Sequence, residues 1–225
     1  MSSGLEVPSL PLRWGADATF GMREVIAALA AGQSPPPDGR VTIVPEKQRP
    51  GVFSFSQHHV IAADVDPEWI RAQLPPDDLS RPLSGPFLAA LGARLGGLVT
   101  DGIDMMLYAP KLHEPLPNMP GLAEVGPDHH PRIARSALHR SDVRAWATTG
   151  GCLALGRGVG DRWEAAVEVD PEYRHCGLGL ALLQAGQYLV EGDHLWAQIA
   201  VGNALLIRNS GRYGWIPAGA EALLY

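Results

Sequence analysis

The stretch Val167-Glu168-Val169-Asp170-Pro171-Glu172-Tyr173-Arg174-His175-Cys176-Gly177-Leu178-Gly179-Leu180 decides how this chain folds. It begins as an apolar strand, turns at Pro171, and reaches Arg174-x-x-Gly177-x-Gly179. From there Leu178, Leu182, Ala185 and Leu189 recur at helical spacing. Strand, turn and amphipathic helix therefore follow one another within 25 residues. Glycines at the start of a helix let the backbone approach a ligand closely and leave amides pointing outward. Free amides at a helix N-terminus favour an anion, and a pyrophosphate fits such a place well. Arg174 adds a charge-assisted donor. Taken alone, an ordinary strand-turn-helix joint accounts for the same residues.

Working outward, the flanking sequence predicts regular alternation. His130 to Arg140 reads as a helix with Ile133, Ala134 and Leu138 inward. Val143 to Thr148 alternates as a strand, Gly150-Gly151 closes a hairpin, and Cys152 to Gly156 returns. A turn at Gly158 to Asp161 leads into a third strand, Arg162 to Asp170. Then come a helix from Gly177 to Glu191, a strand from Leu195 to Val201, a helix from Asn203 to Arg212, and a last strand-like segment from Trp215 to Leu224. Helices and strands that alternate around one sheet make a mixed α/β (α+β) layer architecture.

Residues 1–118 carry more proline and more turn signals. Met22 to Ala31 reads as a helix, Arg40 to Val44 and Gly51 to Ala63 as strands. A helix opens on Asp66-Pro67 and stops at Pro75-Pro76, and another spans Ser84 to Leu98. Asp104 to Tyr108 is a short strand. Leu112 to Pro120 holds three prolines and reads either as a linker or as an ordered surface loop. The expected division is 1–118 and 119–225.

The downstream context sharpens the opening stretch. Arg174-x-x-Gly177-x-Gly179, a helix, an apolar strand, Asn203 opening the next helix, and Gly214-Trp215 at its end stand in order. This ordered set resembles the GNAT superfamily of acyl-CoA-dependent N-acetyltransferases, over roughly residues 119 to 225. The resemblance implies a splayed mixed sheet, with acetyl-CoA as cosubstrate and an amine as acceptor. The backbone of Val167 and Val169 would pair with the pantetheine arm. Arg174, His175, Cys176, Gly177, Leu178, Gly179 and Leu180 would cradle the pyrophosphate. Asn203 would hydrogen-bond the pantetheine, and Arg208 would lie near the cofactor's far end. Asn203 also reads as a plain helix N-cap. Residues 1–118 would complete or wall the acceptor site, or form a degenerate copy of the same fold.

The catalytic groups match the family pattern less well. Where many members place a tyrosine, seven residues after the asparagine, this chain has Ser210, a poor general acid. Tyr213 follows about one turn later. The resemblance implies a glutamate on the strand face that here reads Trp163, Ala165, Val167, Val169, whereas Glu164 and Glu168 fall on the opposite face. Glu168, Glu164, Ser210 and Tyr213 are the candidate acid-base groups. Cys176 stands beside Arg174 and His175, an environment that can activate a thiol. A non-catalytic acyl-CoA-binding sensor is the alternative function.

Composition excludes other classes. The 225 residues hold 24 acidic and 18 basic side chains, a formal net charge of -6, which disfavours non-specific nucleic-acid binding. Only Lys47 and Lys111 are lysines, and the other basic residues are arginines. Cys152 and Cys176 are the two cysteines, so neither a disulfide scaffold nor a multi-cysteine zinc site is expected. His58 and His59 adjoin on a strand and point to opposite faces, a poor metal pair, so no metal is expected. No apolar run approaches a membrane span, and Met1 to Leu12 lacks a basic leader. The expectation is a cytoplasmic protein without membrane or nucleic-acid partners, compatible with a homodimer.

Overall fold

A computed structural model describes residues 12–15, 18–75 and 78–225. The stretch 1–11 and Pro76 lie outside the described residues. The chain divides into two compact units. The first comprises Met1–Met106, Ala200–Gly202 and Ala218–Tyr225, the second Leu107–Ile199 and Asn203–Pro217. The chain passes between them within strand β4 (Asp104–Pro110) and again within β10 (Ile216–Leu223).

In the first unit, β1 (Val41–Val44) runs parallel to β3 (His58–Ala62), and β2 (Gly51–Phe55) lies antiparallel to both β3 and β10. The single strand read over 51–63 is thus a tight hairpin, broken at Ser56-Gln57, where Gln57 takes a φ of 73°. Helix α1 is Met22–Ala30. Helix α2 (Pro67–Gln73) starts as the sequence predicts, with Asp66 accepting from the Glu68 amide at 2.9 Å and Pro67 in the first turn. Helix α3 (Gly85–Arg94) ends sooner than its apolar spacing suggests, because Gly96 and Gly97 take the left-handed conformation and reverse the chain. Ile70 of α2 and Phe87 and Leu91 of α3 pack on Val52, Ile61 and Ala222.

In the second unit, the strand order is β4, β9 (His194–Ala200), β8 (Trp163–Val169), β7 (Gly151–Arg157), β6 (Ser141–Thr148), β5 (Ala123–Val125). Strands β5 to β8 form an antiparallel meander, and β8 pairs with β9 in parallel. The sheet is therefore mixed, as expected for this α/β class. Strand β5 escapes the sequence reading because three residues with two exposed ones carry no alternation signal. Helix α4 (Pro131–His139) lays Ile133 on Ala145, Cys152, Ala154 and Ala166. Helix α5 (Leu178–Leu189) covers the other face, where Gly186 lets Leu153, Leu155 and Leu195 close in. Helix α6 (Ala204–Ser210) passes into a 3-10 turn at Gly211–Tyr213. Segment 112–120 has no regular element. The Leu112 amide donates to the Gln187 carbonyl at 2.9 Å, so it starts as an ordered loop tied to α5. Among the described residues no helix is long and apolar enough to cross a membrane.

The β6–β7 hairpin supplies a direct test of this packing. Gly150 has a φ of +81°, and a Cβ there would run into the Tyr173 ring. Gly150→Ala is expected to destabilise the chain by about 1–3 kcal/mol through strain and overpacking. Urea unfolding read by far-UV circular dichroism checks this.

Candidate functional site

The site is built where β8 leaves its neighbour β9. Parallel pairing joins Glu164 to Trp196 and Ala165 to Ala197, and among the described residues it goes no further. On the other side β8 stays paired with β7 along its whole length, to Val169 opposite Gly151. The Asp170 amide donates to the Gly150 carbonyl at 2.9 Å. In an antiparallel ladder the bonded residues alternate, so Glu168 and Ala166 also direct their main-chain groups at β7. Val167 and Val169 direct theirs the opposite way, to the side on which β9 has parted. A strand edge that β9 does not pair results.

At the end of this edge the loop from Asp170 to Gly177 turns into α5. Gly177 caps the helix at φ 88° and ψ -4°, a left-handed conformation that glycine adopts without strain. The first-turn amides of α5, those of Leu178, Gly179 and Leu180, have no partner within the helix by its geometry. A Cβ at Gly179 would meet only Val169 Cγ2, at 3.5 Å. Arg174 folds back over the edge. Its Nε donates to the Val169 carbonyl at 3.1 Å, and its guanidinium lies 3.5 Å from Glu168 Oε1. The Cys176 thiol donates to the Tyr173 carbonyl at 2.8 Å, and Cys176 and His175 are both exposed. Val169, Glu168, Arg174 and the α5 opening are thus brought together.

The remaining residues are placed otherwise. Asn203 caps α6, its Oδ1 accepting from the Leu206 amide at 3.3 Å, which is the plain N-cap geometry. Ser210 is fully buried, and its hydroxyl donates to the Ile207 carbonyl at 2.9 Å, so its proton is already committed. Arg208 and Tyr213 are exposed on α6 and the turn after it. Glu168 and Glu164 do lie on the face away from Val167 and Val169. Ala166 between them packs on Ile133 of α4, whereas Val169 faces Gly179 of α5.

Glu164 corrects the expectation that it could serve as a base. It is buried between two arginines, with Arg162 Nε at 2.7 Å and Arg140 Nε at 2.8 Å. Arg140 also donates to Gln198 Oε1 at 2.9 Å, and the Arg162 guanidinium lies 5.3 Å from the Trp196 ring centre. Burial pushes the Glu164 carboxyl up, but the charges and hydrogen bonds of Arg162 and Arg140 outweigh it and hold it down to about 2. A carboxylate so held and so enclosed is a poor proton acceptor. No sequence period marks this clamp, since Arg140 stands 24 residues from Glu164. A second feature missed by sequence reasoning is Trp215, whose buried Nε1 has no hydrogen-bond partner among the described residues.

No family model and no curated protein sequence matches the chain. Among solved structures it is similar to a protein from Novosphingobium aromaticivorans assigned to the GNAT family of acetyltransferases. That match has a TM-score of 0.42 and 19% identity, over 57% of this chain and 67% of the other. A GCN5-related N-acetyltransferase from Kribbella flavida matches with a TM-score of 0.38 and 16% identity, over 62% of this chain and 63% of the other. A conserved protein of unknown function from Staphylococcus epidermidis matches at 0.39 and 12%, over 63% and 66%. The matched part amounts to about two thirds of each of those chains.

The clamp predicts an acid response. A carboxyl held to about 2 against an ordinary 4.5 contributes stability that is present above about pH 4.5 and is lost as pH falls towards about 2. Glu164→Gln removes that part of the pH dependence. It also costs about 3–5 kcal/mol at neutral pH, because the buried guanidiniums of Arg162 and Arg140 lose the carboxylate charge between them. Denaturant midpoints measured across this acid range for both chains check it.

Proposed function

We propose that this chain is an N-acetyltransferase that takes an acetyl group from acetyl-CoA to an amine acceptor. The observation that carries the reading is the parting of β8 from β9 after Ala165, with the main-chain groups of Val167 and Val169 facing the gap. The residues fit the cosubstrate on their own chemistry. An amide-bearing arm can pair with an unpaired strand edge as a further strand does. A pyrophosphate suits the free amides of Leu178, Gly179 and Leu180 and the cation of Arg174. Acetyl-CoA, when bound, supplies the activated thioester.

Arg174 has two positions to choose between. In one it closes the edge by holding the Val169 carbonyl and facing Glu168. Turning towards a pyrophosphate, it uncovers Val169 for pairing and releases the Glu168 carboxylate. Glu168 is then the acid at the edge with an uncommitted oxygen pair, suited to receive the proton the amine loses. Ser210 and Glu164 are tied elsewhere. The exposed thiol of Cys176 takes no part. The amine attacks directly in a ternary complex, where orientation supplies much of the rate.

The test uses one conservative change. Gly179→Ala meets only an ordinary contact in the free chain, so it is expected to fold with an unchanged melting temperature. The added methyl sits against the pyrophosphate cradle and is expected to weaken acetyl-CoA binding by roughly tenfold or more. Calorimetry with acetyl-CoA reads it, and no heat with the unaltered chain at millimolar cosubstrate overturns the reading. Release of free CoA thiol over a panel of amines then reads the transfer. Glu168→Gln is expected to lower kcat by about 10²-fold without weakening acetyl-CoA binding, since Arg174 then faces no carboxylate at 168.

A further inference from the structure

A cleft of about 380 Å³ opens within the first unit, lined by none of the residues proposed to hold the cosubstrate. One wall is formed by the start of β1 and by β3, the other by α2 and the 3-10 turn at Arg81–Leu83. Val41, Ile70, Leu74 and Pro82 make it apolar, and Arg40 and Arg71 bring positive charge. An apolar hollow of this size with a few polar groups is the usual form of a small-molecule site.

The feature that singles it out is His59. The residue is 3% exposed, it lines the cleft, and among the described residues neither ring nitrogen makes a hydrogen bond of good geometry, the Leu79 main chain being close enough only for a small effect on the ring. Its neighbour His58 is the reverse. The His58 ring bonds Asp38 through Nδ1 and Thr42 through Nε2, each at 2.8 Å. A buried imidazole without partners costs free energy that a ligand's hydrogen bond would recover. Burial first, and then the charge of His58, push the pKa of His59 down, against a smaller effect of the Leu79 backbone. The ring is therefore neutral near pH 7, with one N–H to donate.

The charges around it narrow the ligand. The Asp78 carboxylate at the rim accepts from the amide and the hydroxyl of Ser80. Arg71 pairs with Glu68. Arg40 lines the cleft beside Asp38, whose carboxylate is itself held by the His58 ring and the Arg40 amide. We infer that the cleft binds a small organic carboxylate with an apolar body. The body lies on Ile70, Leu74 and Pro82, and the carboxylate accepts the His59 N–H while facing Arg40. Entry displaces the Leu79 side chain, which is 40% exposed at the rim. This inference stands independently of acyl transfer.

Full-length chain labelled with 13C and 15N at histidine is titrated with 4-phenylbutyrate, and with its neutral amide as a control of the same shape. Heteronuclear NMR reads the ring signals. The expected result is a saturable shift of the His59 ring with the carboxylate, at least tenfold weaker with the amide, and weakened roughly tenfold by Arg40→Ala. His175, in the α5 loop, is expected to stay unmoved, which separates this site from the proposed cosubstrate site. An unmoved His59 ring at millimolar carboxylate overturns the inference, and so does equal binding of the amide. His59→Phe, which removes both nitrogens, is expected to abolish binding. The titration of the unaltered chain decides the matter even where that variant does not fold.

Discussion

The second unit depends on the ion cluster at Glu164. Its carboxylate holds Arg162 from the start of the same strand and Arg140 from the end of α4, and Arg140 reaches on to Gln198 of β9. Three elements are thereby fixed to one point, and that point is the first of the two positions at which β8 and β9 pair. Buried ion pairs add little net stability over an apolar core, because desolvation offsets their attraction. Their hydrogen bonds are directional, however, and a carboxylate between two guanidiniums admits few arrangements. The cluster fixes register and strand direction, and with them the origin of the gap that follows. Close packing enforces the same fit at Gly158, where a Cβ would run into the Glu164 carboxyl.

Once the strands are pinned there, the free edge at Val167 and Val169 follows from accounting. Each main-chain amide and carbonyl needs a partner or water. β7 supplies partners on one side only, and β9 has left the other. In the free chain Arg174 answers part of this demand by donating to Val169. The same side chain thus serves as a partner to the edge and as a cation in the loop that opens α5. Such economy is available only because Gly177 turns the chain sharply at φ 88° and brings the loop back over the strand it has just left.

Much of this was legible in the sequence, and the reasons differ by element. The α5 helix announced itself through Leu178, Leu182, Ala185 and Leu189, and the β6–β7 hairpin through Gly150-Gly151. Asp66-Pro67 gave the start of α2 to the residue, because capping is local chemistry. The order of strands and helices in residues 131–223 followed from such local signals. The helix ends did not. α3 and α6 stop before their apolar patterns do, since Gly96, Gly97 and the Gly211–Tyr213 turn override periodicity. The pairing of Glu164 with Arg140 and Arg162 was not legible, because charge partners 24 residues apart leave no periodic trace. The opposite facing of Glu164 and Glu168 to Val167 and Val169 was legible, since a strand alternates with period two. Their different roles were not. Two glutamates on one face of one strand differ only in what folds against them.

His58 and His59 show the same limit from another side. Strand alternation sends them to opposite faces, and that much is fixed by adjacency. What each ring meets is not. His58 finds Asp38 and Thr42, and the Thr42 hydroxyl accepts in turn from the Gly15 amide at 3.0 Å. Both ring nitrogens of His58 therefore have a partner. Every polar atom in that chain is then satisfied, and His58 is a structural residue. His59 is enclosed to nearly the same degree, yet among the described residues its ring nitrogens make no hydrogen bond of good geometry. Folding alone gives no reason to bury an imidazole in that state, because leucine would fill the space without the cost of desolvation. A polar group kept dry and unpaired at the wall of a cleft is explained by a partner that arrives from outside.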